Sequence, residues 1–469
     1  MKATAWWNKN RITLGAIFAL AWPAILEQTL QTIVMYCDTA MVGSLGAQAS
    51  AAVGLTTPVS WLVCSPLWAL GTGFLACIAR SIGAKDEKTA RVAAMQSIYA
   101  VAAAGVIMTV ITQAVSPFLP GWLQAAPEIH ADASAYFAIT TLPMIFRASS
   151  VIFASTLRAS GDTKTPMFVT TMMNVINVVL NFLLIFPTRQ LNVLGVEFTM
   201  YGADLGVRGA AIASAVAYCF SGVMMMRAML RSKRISPRGM KFRLDKPVMS
   251  QCIRVGIPVA CTRVGVCRGQ VVFLSQVSSL GTISLAAHSL ALTAEEAIYL
   301  PGYGMQTAAA TLSGNAVGAR DEKRLLHQAK LLTFIAMFLM TCTGLVMFLL
   351  PAQILSIFTP DQLVIAERVL IMRIVAVTEP IYAAAIVLEG IFDGMGDTKT
   401  PFVVSIATMW GIRILFTYLC VTVFGLGLTA VWTCMAADNV TRAIILFICF
   451  RKGVWRKRAG MERHISAAA

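Results

Sequence analysis

The sequence predicts an all-α integral membrane protein with twelve transmembrane helices in two six-helix bundles. Of its 469 residues, 57% are hydrophobic and 13% are charged, and the mean hydropathy is +0.73. Soluble domains carry roughly 25% charged residues, so most of the chain is expected to lie in lipid. Apolar runs of about 20 residues recur, and each is long enough to cross a hydrocarbon core as a helix. The runs are apolar on all sides and do not alternate, which favours helices over a barrel.

The two bundles are predicted from an internal repeat. The hexapeptide Gly161–Pro166 returns letter for letter as Gly396–Pro401, half a chain later. The same shift aligns Pro23 with Pro258, Leu45-Gly46 with Leu280-Gly281, and residues 83–88 with residues 318–323. Because these pairings keep one register, we interpret the chain as a duplication.

Twelve apolar runs define the expected spans. Those of the first half lie near 14–42, 52–80, 92–115, 133–157, 166–186 and 206–229, and those of the second half near 252–276, 285–312, 330–350, 365–391, 400–423 and 425–450. The first run continues past the point at which a signal peptide would be cleaved, so we expect it to be a true span. The segment between the fifth and sixth spans is rich in turn residues and is predicted to be a long loop.

Basic residues separate the parts of the chain. We predict an N-terminal lobe at 1–230, a basic linker at 231–251, a C-terminal lobe at 252–450 and a basic tail at 451–469. The net charge of +16 is concentrated in short segments between apolar runs. This pattern is typical of cytoplasmic loops and argues against nucleic-acid binding. Both termini are therefore expected in the cytoplasm.

An even number of spans in each half makes the repeat parallel. Both halves then enter the membrane from the same side, and their two-fold axis lies along the membrane normal. Two such bundles leave a cleft between them. Rocking of one bundle against the other would expose that cleft to alternate sides, which is a physical route for transport.

Enzyme chemistry and disulfide bonding find little support in the sequence. The 11 Cys are scattered through apolar runs without a repeated spacing, as is typical of small buried side chains. The four histidines, His130, His288, His327 and His464, are dispersed and fall mostly in loops or the tail. They form neither a His-Glu-x-x-His motif nor an evident Ser–His pair, so we expect a protein that is not an enzyme and needs no cofactor.

The most specific motifs are the stretch Pro23–Gly54, the two hexapeptides, Asn177–Asn181 in the fifth span and Gly209–Ala213 in the sixth. With them the chain resembles the multidrug and toxic compound extrusion (MATE) family over essentially its whole length. The resemblance implies the MATE fold, a cleft that takes drugs or metabolites, and export driven by inward movement of Na⁺ or H⁺. We accordingly expect a monomer with small-molecule substrates, surrounded by lipid in the bacterial inner (plasma) membrane.

Asp38 is the leading candidate for ion coupling. A carboxylate inside a span costs about 2.5–3.5 kcal/mol on insertion scales, so its presence needs a reason. Asp38 is either a helix-end residue near the interface or the site of a cation or proton, and the family's first-span acid falls at this position. Glu27 and Gln31 lie on the same helical face and extend a polar stripe, and we assign Glu27 to the ion-coupling group together with Asp38. Glu27 equally fits a residue near the cytoplasmic end whose side chain reaches water.

Three polar residues join Asp38 by resemblance. Asn177 and Asn181 lie four residues apart in the fifth span and share a face, and Ser214 lies in the sixth span. The family commonly has Asp at the position of Asn181 and Thr at that of Ser214. This departure weakens the case for a tightly bound Na⁺ at Asp38, the single metal ion considered, but leaves H⁺ coupling through Asp38 open. Hydrogen bonding between helices is the alternative role of the Asn pair.

The second half carries further acids in or beside its spans. Glu295 and Glu296 lie in the eighth span, and Glu379 and Glu389 flank the tenth. Some family members have an acidic site in the seventh and tenth spans, but this chain lacks the seventh-span acid and carries Arg263 and Arg268 in that helix. Two alternatives stay open: Arg268 pairs structurally with Glu295 or Glu296 and neutralises them, or these acids form an ion site. The residues that we assign to the substrate cleft are Gln31, Glu295, Glu296, Arg268 and Glu379.

The hexapeptide itself is interpreted as a structural loop that gates the cytoplasmic side. Its Gly would supply the turn, its Asp would cap the next helix, and its Pro would open that helix at the first position.

The function predicted from these features is antiport of amphipathic or cationic small molecules against H⁺ or Na⁺. The alternative is a flippase of a lipid-linked saccharide, or an exporter of one natural product, within the wider superfamily. A saccharide flippase predicts a more strongly basic cleft, and the acids within the spans argue against it.

Overall fold

The computed structural model describes residues 2–193, 196–356 and 362–461, which are mostly helical. The helices of the first half are α1 Lys2–Gly43, α2 Ala47–Gly83, α3 Glu87–Val115, α4 Leu119–Trp122, α5 His130–Thr141, α6 Met144–Ala159, α7 Lys164–Leu184 and α8 Gly206–Arg231. Those of the second half are α9 Lys246–Ser278, α10 Thr282–Gly318, α11 Glu322–Leu349, α12 Pro351–Ser356, α13 Gln362–Met395, α14 Lys399–Thr408, α15 Leu415–Tyr418, α16 Leu428–Lys452 and α17 Val454–Ala459. A 3₁₀ turn, Pro127–Ile129, precedes α5, and π-helical segments at Met409–Ile414 and Leu419–Val423 flank α15.

The prediction of an all-α membrane protein is confirmed. Within the described ranges, ten helices are long and apolar enough to cross a membrane, and there are up to eleven if α5 and α6, bent by 50° at their break, are counted together as one span. The expected eighth span is α10, which is 37 residues long and therefore reaches about 55 Å. It is not among those ten helices, and it carries Glu295 and Glu296. Each of the twelve predicted runs therefore coincides with a helix or a bent helical pair.

The predicted long loop between the fifth and sixth spans is instead a β-hairpin. Strand β1, Pro187–Val193, pairs antiparallel with β2, Val196–Ala203, and Leu191 lies opposite Phe198. Short strands of this kind are favoured by β-branched and aromatic residues, which the segment carries among its turn residues. The hydropathy that reveals spans does not detect them, because the strands are too short and too polar.

The hexapeptides adopt nearly the same structure in both halves. Gly161 and Gly396 have φ angles of +90° and +77°, which a side chain would strain. The two Oδ atoms of each following Asp, Asp162 and Asp397, accept from the backbone amide and the hydroxyl of the Thr three residues later. Because this cap starts the helix at the Lys, Pro166 is the third helical residue. The predicted first position is therefore wrong by two residues.

Both hexapeptides are also anchored to the first helix of their own half. The Thr163 hydroxyl donates to the Ala19 carbonyl at 3.2 Å, and the Thr398 hydroxyl donates to the Val255 carbonyl at 2.7 Å. The repeat of sequence is thus a repeat of tertiary contacts, as a duplication predicts.

We call the end of the molecule that carries the hexapeptides the basic end. The linker docks here, since Gln96 of α3 donates to the Arg243 carbonyl at 3.0 Å and accepts from the Asp245 amide at 3.2 Å. The tail folds back onto the same end. Trp455 of α17 is fully buried, and Arg458 lies 2.7 Å from Asp397.

The two halves meet through their first two helices. Helix α1 packs on α10, α2 packs on α9, and α2 also packs on α10. At the basic end a Cβ on Gly83 would collide with the Asn315 carbonyl, and a Cβ on Gly318 would collide with the Arg80 carbonyl. The shift that aligns the two hexapeptides also aligns Gly83 with Gly318 and Arg80 with Asn315, so each of these contacts is the counterpart of the other. The two halves therefore face each other about an approximate two-fold axis. The lobe and linker bounds themselves stay a prediction.

Gly318→Ala is expected to push α2 and α10 apart at the basic end. The added methyl meets backbone rather than a flexible side chain, so the helices must separate. Cys77 of α2 and Cys252 of α9 are neighbours buried nearby, and they should react several-fold faster with a maleimide. Labelling is measured by peptide mass spectrometry, with Gly54→Ala as the control, because a Cβ at Gly54 meets open space. Equal labelling in both variants would contradict the tight contact.

Candidate ion-coupling site

Asp38 lies near the end of α1, on a face turned towards α7 and α8. Its side chain is half-buried, and its Oδ1 accepts a hydrogen bond from Asn181 Nδ2 of α7 at 2.6 Å. None of the ion pairs formed by the described residues includes Asp38. The carboxylate therefore has hydrogen-bond donors but no cationic partner, which is costly in a low-dielectric span.

The polar residues predicted to join Asp38 do surround it. When the Asn177 amide is turned to satisfy both of its neighbours, its nitrogen lies 2.9 and 3.0 Å from the two Oδ atoms of Asp38. In this orientation its oxygen accepts from the Ser214 hydroxyl of α8 at 3.2 Å. The Asn181 Oδ1 is buried and has no hydrogen-bond partner among the described residues.

The face of α7 explains why this cluster forms. Thr170, Asn174, Asn177 and Asn181 follow one another at helical spacing, and all four are buried. Their amides and hydroxyl are therefore directed into the helix bundle rather than towards lipid. A single helix supplies most of the polar groups, and α1 supplies the charge.

The arrangement can hold either a proton or a hard monovalent cation. Rotation of the two Asn amides would present their oxygens beside the Asp38 carboxylate and the Ser214 hydroxyl, and oxygen ligands of this kind suit Na⁺. A proton on Asp38 would neutralise the same charge without further ligands. Within the described residues, three or more His, Cys, Asp or Glu side chains nowhere come together as a metal-binding group.

Glu27 lies on the same helix as Asp38 but in a different environment. Its carboxylate is 5% exposed and accepts from Arg158 Nη2 at 2.7 and 2.8 Å, and from the Thr170 hydroxyl at 3.0 Å. Eleven residues of helix place it about 16 Å from Asp38. Gln31 lies half-buried between them. The structure thus separates a neutralised acid, Glu27, from an uncompensated one, Asp38.

Glu27→Gln is expected to lower stability while leaving ion coupling in place. The change leaves Arg158 without its partner, and breaking a buried pair costs about 3–5 kcal/mol. The melting temperature in detergent should fall, whereas the ratio of gradient-driven to passive efflux should match the wild type. The exposed pair of Glu87 with Arg91, 3.9 Å apart, offers the control Glu87→Gln. Normal stability with lost coupling would instead place Glu27 in the ion path.

The second-half acids assigned to the cleft lie on two helices. Glu295 of α10 and Glu379 of α13 are buried and influence each other electrostatically, and Glu379 Oε2 has no hydrogen-bond partner among the described residues. Glu296 lies within electrostatic reach of Tyr36 on α1. The Tyr36 hydroxyl donates to the Thr293 carbonyl at 3.3 Å. Helix α1 therefore contacts the acid-bearing helix of the other half only two residues before Asp38.

Of the two alternatives for Arg268, the structural pair with Glu295 or Glu296 is not formed. Arg268 is exposed on α9 and takes part in none of the ion pairs within the described ranges. The adjacent Gly269 packs against Met409, so that face of α9 is directed towards the π-helical segment rather than towards α10. The cation that acts electrostatically on Glu295 is Arg413.

A charged network in the second half was not predicted as a unit. Asp438 of α16, whose side chain is 0% exposed, lies 2.8 Å from Arg413 Nε and 3.1 Å from Arg442 Nη2. Arg442 also lies 3.8 Å from Glu389, which accepts from the Ser405 hydroxyl at 3.3 Å. The sequence feature that could have indicated this network is the i, i+4 spacing of Asp438 and Arg442 within one span.

His288 also lies in a different environment from the one expected for the histidines. It is buried within α10, between the rings of Phe273 and Trp432. This position makes it part of the aromatic packing of the second half.

Comparison with known families identifies matches in both halves of the chain. The family model described as MatE matches residues 23–183 and 258–419, two segments that begin in the register of the internal repeat. The chain is 27% identical over 451 residues to the probable multidrug resistance protein NorM of Thermotoga maritima, covering 95% of this chain and 94% of that protein. It is 23% identical over 443 residues to the uncharacterized transporter YisQ of Bacillus subtilis, covering 94% of each.

Solved structures match over nearly the whole chain. One is an outward-facing multidrug resistance MATE family transporter of the MOP superfamily, with a TM-score of 0.85 and 22% identity over 95% of both chains. Another is a MOP superfamily transporter from Pyrococcus furiosus, with a TM-score of 0.85 and 23% identity over 95% of both chains. At these identities the likeness shows the fold, which is the predicted two-lobe arrangement.

Proposed function

The chain belongs to the MatE family, and on that premise we propose that it is a secondary active antiporter exporting small amphipathic or cationic compounds in exchange for H⁺ or Na⁺. It is a multi-pass membrane transporter and not an enzyme. The proposed coupling needs no cofactor beyond the ion itself.

The observation that carries the coupling is the uncompensated carboxylate of Asp38. Among the described acids of α1, Glu27 is neutralised by Arg158, whereas Asp38 is surrounded by Asn177, Asn181 and Ser214, which are uncharged. A buried carboxylate of this kind gains free energy when it takes up a proton or a cation. Loading and release of that charge would change the packing of α1 against α7 and α8.

The cargo is proposed to bind between α1, α10 and α13. The acids Glu295, Glu296 and Glu379, with Gln31, give this region a negative character that suits cationic compounds. Aromatic rings lie beside them, since Tyr299 packs edge to face on Tyr303 and Tyr382. A flippase of a lipid-linked saccharide would need basic groups here to pair with a pyrophosphate. Arg268 is exposed on α9, and Arg413, which acts electrostatically on Glu295, is already paired with Asp438.

Orientation follows from the distribution of charge. The linker, both hexapeptides and the tail lie at the basic end, so we place that end in the cytoplasm. Alternating access would then open and close the contact of Gly83 with Asn315 and of Gly318 with Arg80. We propose that the chain acts as a monomer in the bacterial inner membrane, since each chain holds two lobes and a complete cleft.

The test is efflux by the wild type under each gradient alone. Everted vesicles containing the protein are given a fluorescent cationic dye on the outside, and either a Na⁺ or a pH gradient is imposed, so that export is measured as dye uptake. We expect one gradient to drive dye movement and the other to leave it at the level of protein-free vesicles. Dye movement that ignores both gradients would overturn the antiport proposal, and transport of a lipid-linked saccharide instead would favour the alternative.

A further inference from the structure

A cavity of about 640 Å³ lies at the basic end beside the first hexapeptide. It is lined by Ala19 of α1, by residues 160–165 around the hexapeptide, and by the end of α8 with the first linker residues, 228 and 231–234. Its lining is strongly cationic. The basic side chains are Lys164, Arg231, Lys233 and Arg234, and all four are exposed.

These cations have no anionic partner in the described parts of the chain. None of the four takes part in an ion pair, and the polar contact of Arg234 is a 3.5 Å hydrogen bond to the Ser160 carbonyl. The acid of the cavity is Asp162, and both of its Oδ atoms accept from Thr165. Four positive charges therefore converge on a space that holds one engaged carboxylate.

At the second hexapeptide, a segment of the chain itself occupies the position that corresponds to this cavity. There α17 follows α16 as the linker follows α8, and it covers the loop. Arg458 lies 2.7 Å from Asp397 and donates to the Thr400 hydroxyl at 2.7 Å, and Trp455 is fully buried. In the first half the linker residues 232–234 line the cavity together with the loop, and none of them forms an ion pair with Asp162.

A separate apolar groove lies deeper along α1 and α7, two of the helices that contribute to the cavity. It has a volume of about 230 Å³ and lies between α1 and α7, lined by Leu30, Val34, Thr171, Asn174, Val175, Val178 and Val179. Thr171 follows Lys164 by seven residues and Leu30 follows Ala19 by eleven, so the groove begins about 10–16 Å deeper than the cavity. One leaflet of a hydrocarbon core is about 15 Å thick, which places the groove at acyl-chain depth. Phe168 and Val175 expose apolar surface beside this path.

We propose that the cavity binds the phosphate of an anionic phospholipid and that the groove holds one of its acyl chains. Basic pockets between membrane helices suit headgroups of this kind, with each basic residue near the surface contributing favourably. Charge complementarity selects the phosphate, and the aligned apolar groove selects a lipid over a free anion.

The experiment compares two variants that remove equal charge. Arg231→Gln with Lys233→Gln and Arg234→Gln empties the cavity of three cations, and Arg238→Gln with Lys241→Gln and Arg243→Gln does the same elsewhere in the linker. Full-length protein in detergent is titrated with phosphatidylglycerol or phosphatidylcholine of the same chain length, and bound lipid is counted by native mass spectrometry. We expect the wild type and the linker control to prefer phosphatidylglycerol, and the cavity variant to lose at least about tenfold of that preference.

Two further arms separate the sources of the phosphate. Inorganic phosphate at millimolar concentration should not displace phosphatidylglycerol, and Val175→Trp, which obstructs the groove, should weaken binding of the long-chain lipid but not of a short-chain one. Displacement by inorganic phosphate together with no effect of Val175→Trp would overturn the lipid assignment. Equal phosphatidylglycerol binding by the cavity variant and the linker control would overturn the site itself.

Discussion

Asp38→Asn is expected to abolish ion-coupled efflux while the protein still folds and inserts. Asn keeps the size of the side chain and its capacity to hydrogen-bond Asn181, which lies 2.6 Å away. It removes the charge, so the site no longer gains free energy from a proton or a cation. The gradient-driven rate should fall by at least about tenfold, which corresponds to roughly 1.4 kcal/mol of lost coupling energy.

The measurement is dye efflux in everted vesicles under the gradient that drives the wild type, corrected for the amount of protein. Asp204→Asn serves as the control, because Asp204 is an exposed acid in the turn that leads into α8. Its φ angle of +52° is one that Asn tolerates, so the control should transport normally. Wild-type efflux by Asp38→Asn would remove Asp38 from the mechanism and shift attention to Glu295 and Glu379.

The residues around Asp38 show how far a sequence can predict a site. Asn177 and Asn181 share a face by their spacing alone, and the structure places both beside Asp38. The packing of α7 and α8 against α1 at the level of Asp38 was expected from the family resemblance alone. The spacing of residues within one helix does not show which helices lie beside it. The same limit explains Glu27, whose stripe position was right and whose partner Arg158 was not foreseen.

The second half shows the limit more sharply. Arg268 and the acids of α10 lie on consecutive helices, which made a pair plausible, yet α9 is rotated so that Gly269 packs against Met409 and Arg268 forms no ion pair with those acids. Rotation of this kind depends on the small residues at helix contacts and is not readable from hydropathy. The spans themselves were predictable because apolar length and the repeat are properties of the chain alone, whereas the β-hairpin at 187–203 has too little apolar character to stand out.

Asp438→Ala is expected to destabilise the second half more than any other single change considered. The Asp438 carboxylate is completely buried and lies between Arg413 and Arg442, which are 13% and 12% exposed. Its removal leaves Arg442 with Glu389, 3.8 Å away, and leaves Arg413 with Glu295 as an acid within electrostatic reach but without an ion pair. Breaking a buried pair in this way costs about 3–5 kcal/mol, whereas the exposed control Glu87→Ala should cost under about 1 kcal/mol.

Thermal unfolding in detergent, followed by the loss of monodisperse protein, measures this difference. A triple variant, Asp438→Leu with Arg413→Met and Arg442→Met, should recover much of the lost stability, because replacing a buried ionic group by apolar residues of similar size is often neutral or favourable. Recovery of stability with normal efflux would make the network a structural support of α16. If Asp438→Ala kept its stability and lost efflux, the structural account would fail, and Asp438 would belong with Asp38 among the groups that exchange charge during transport.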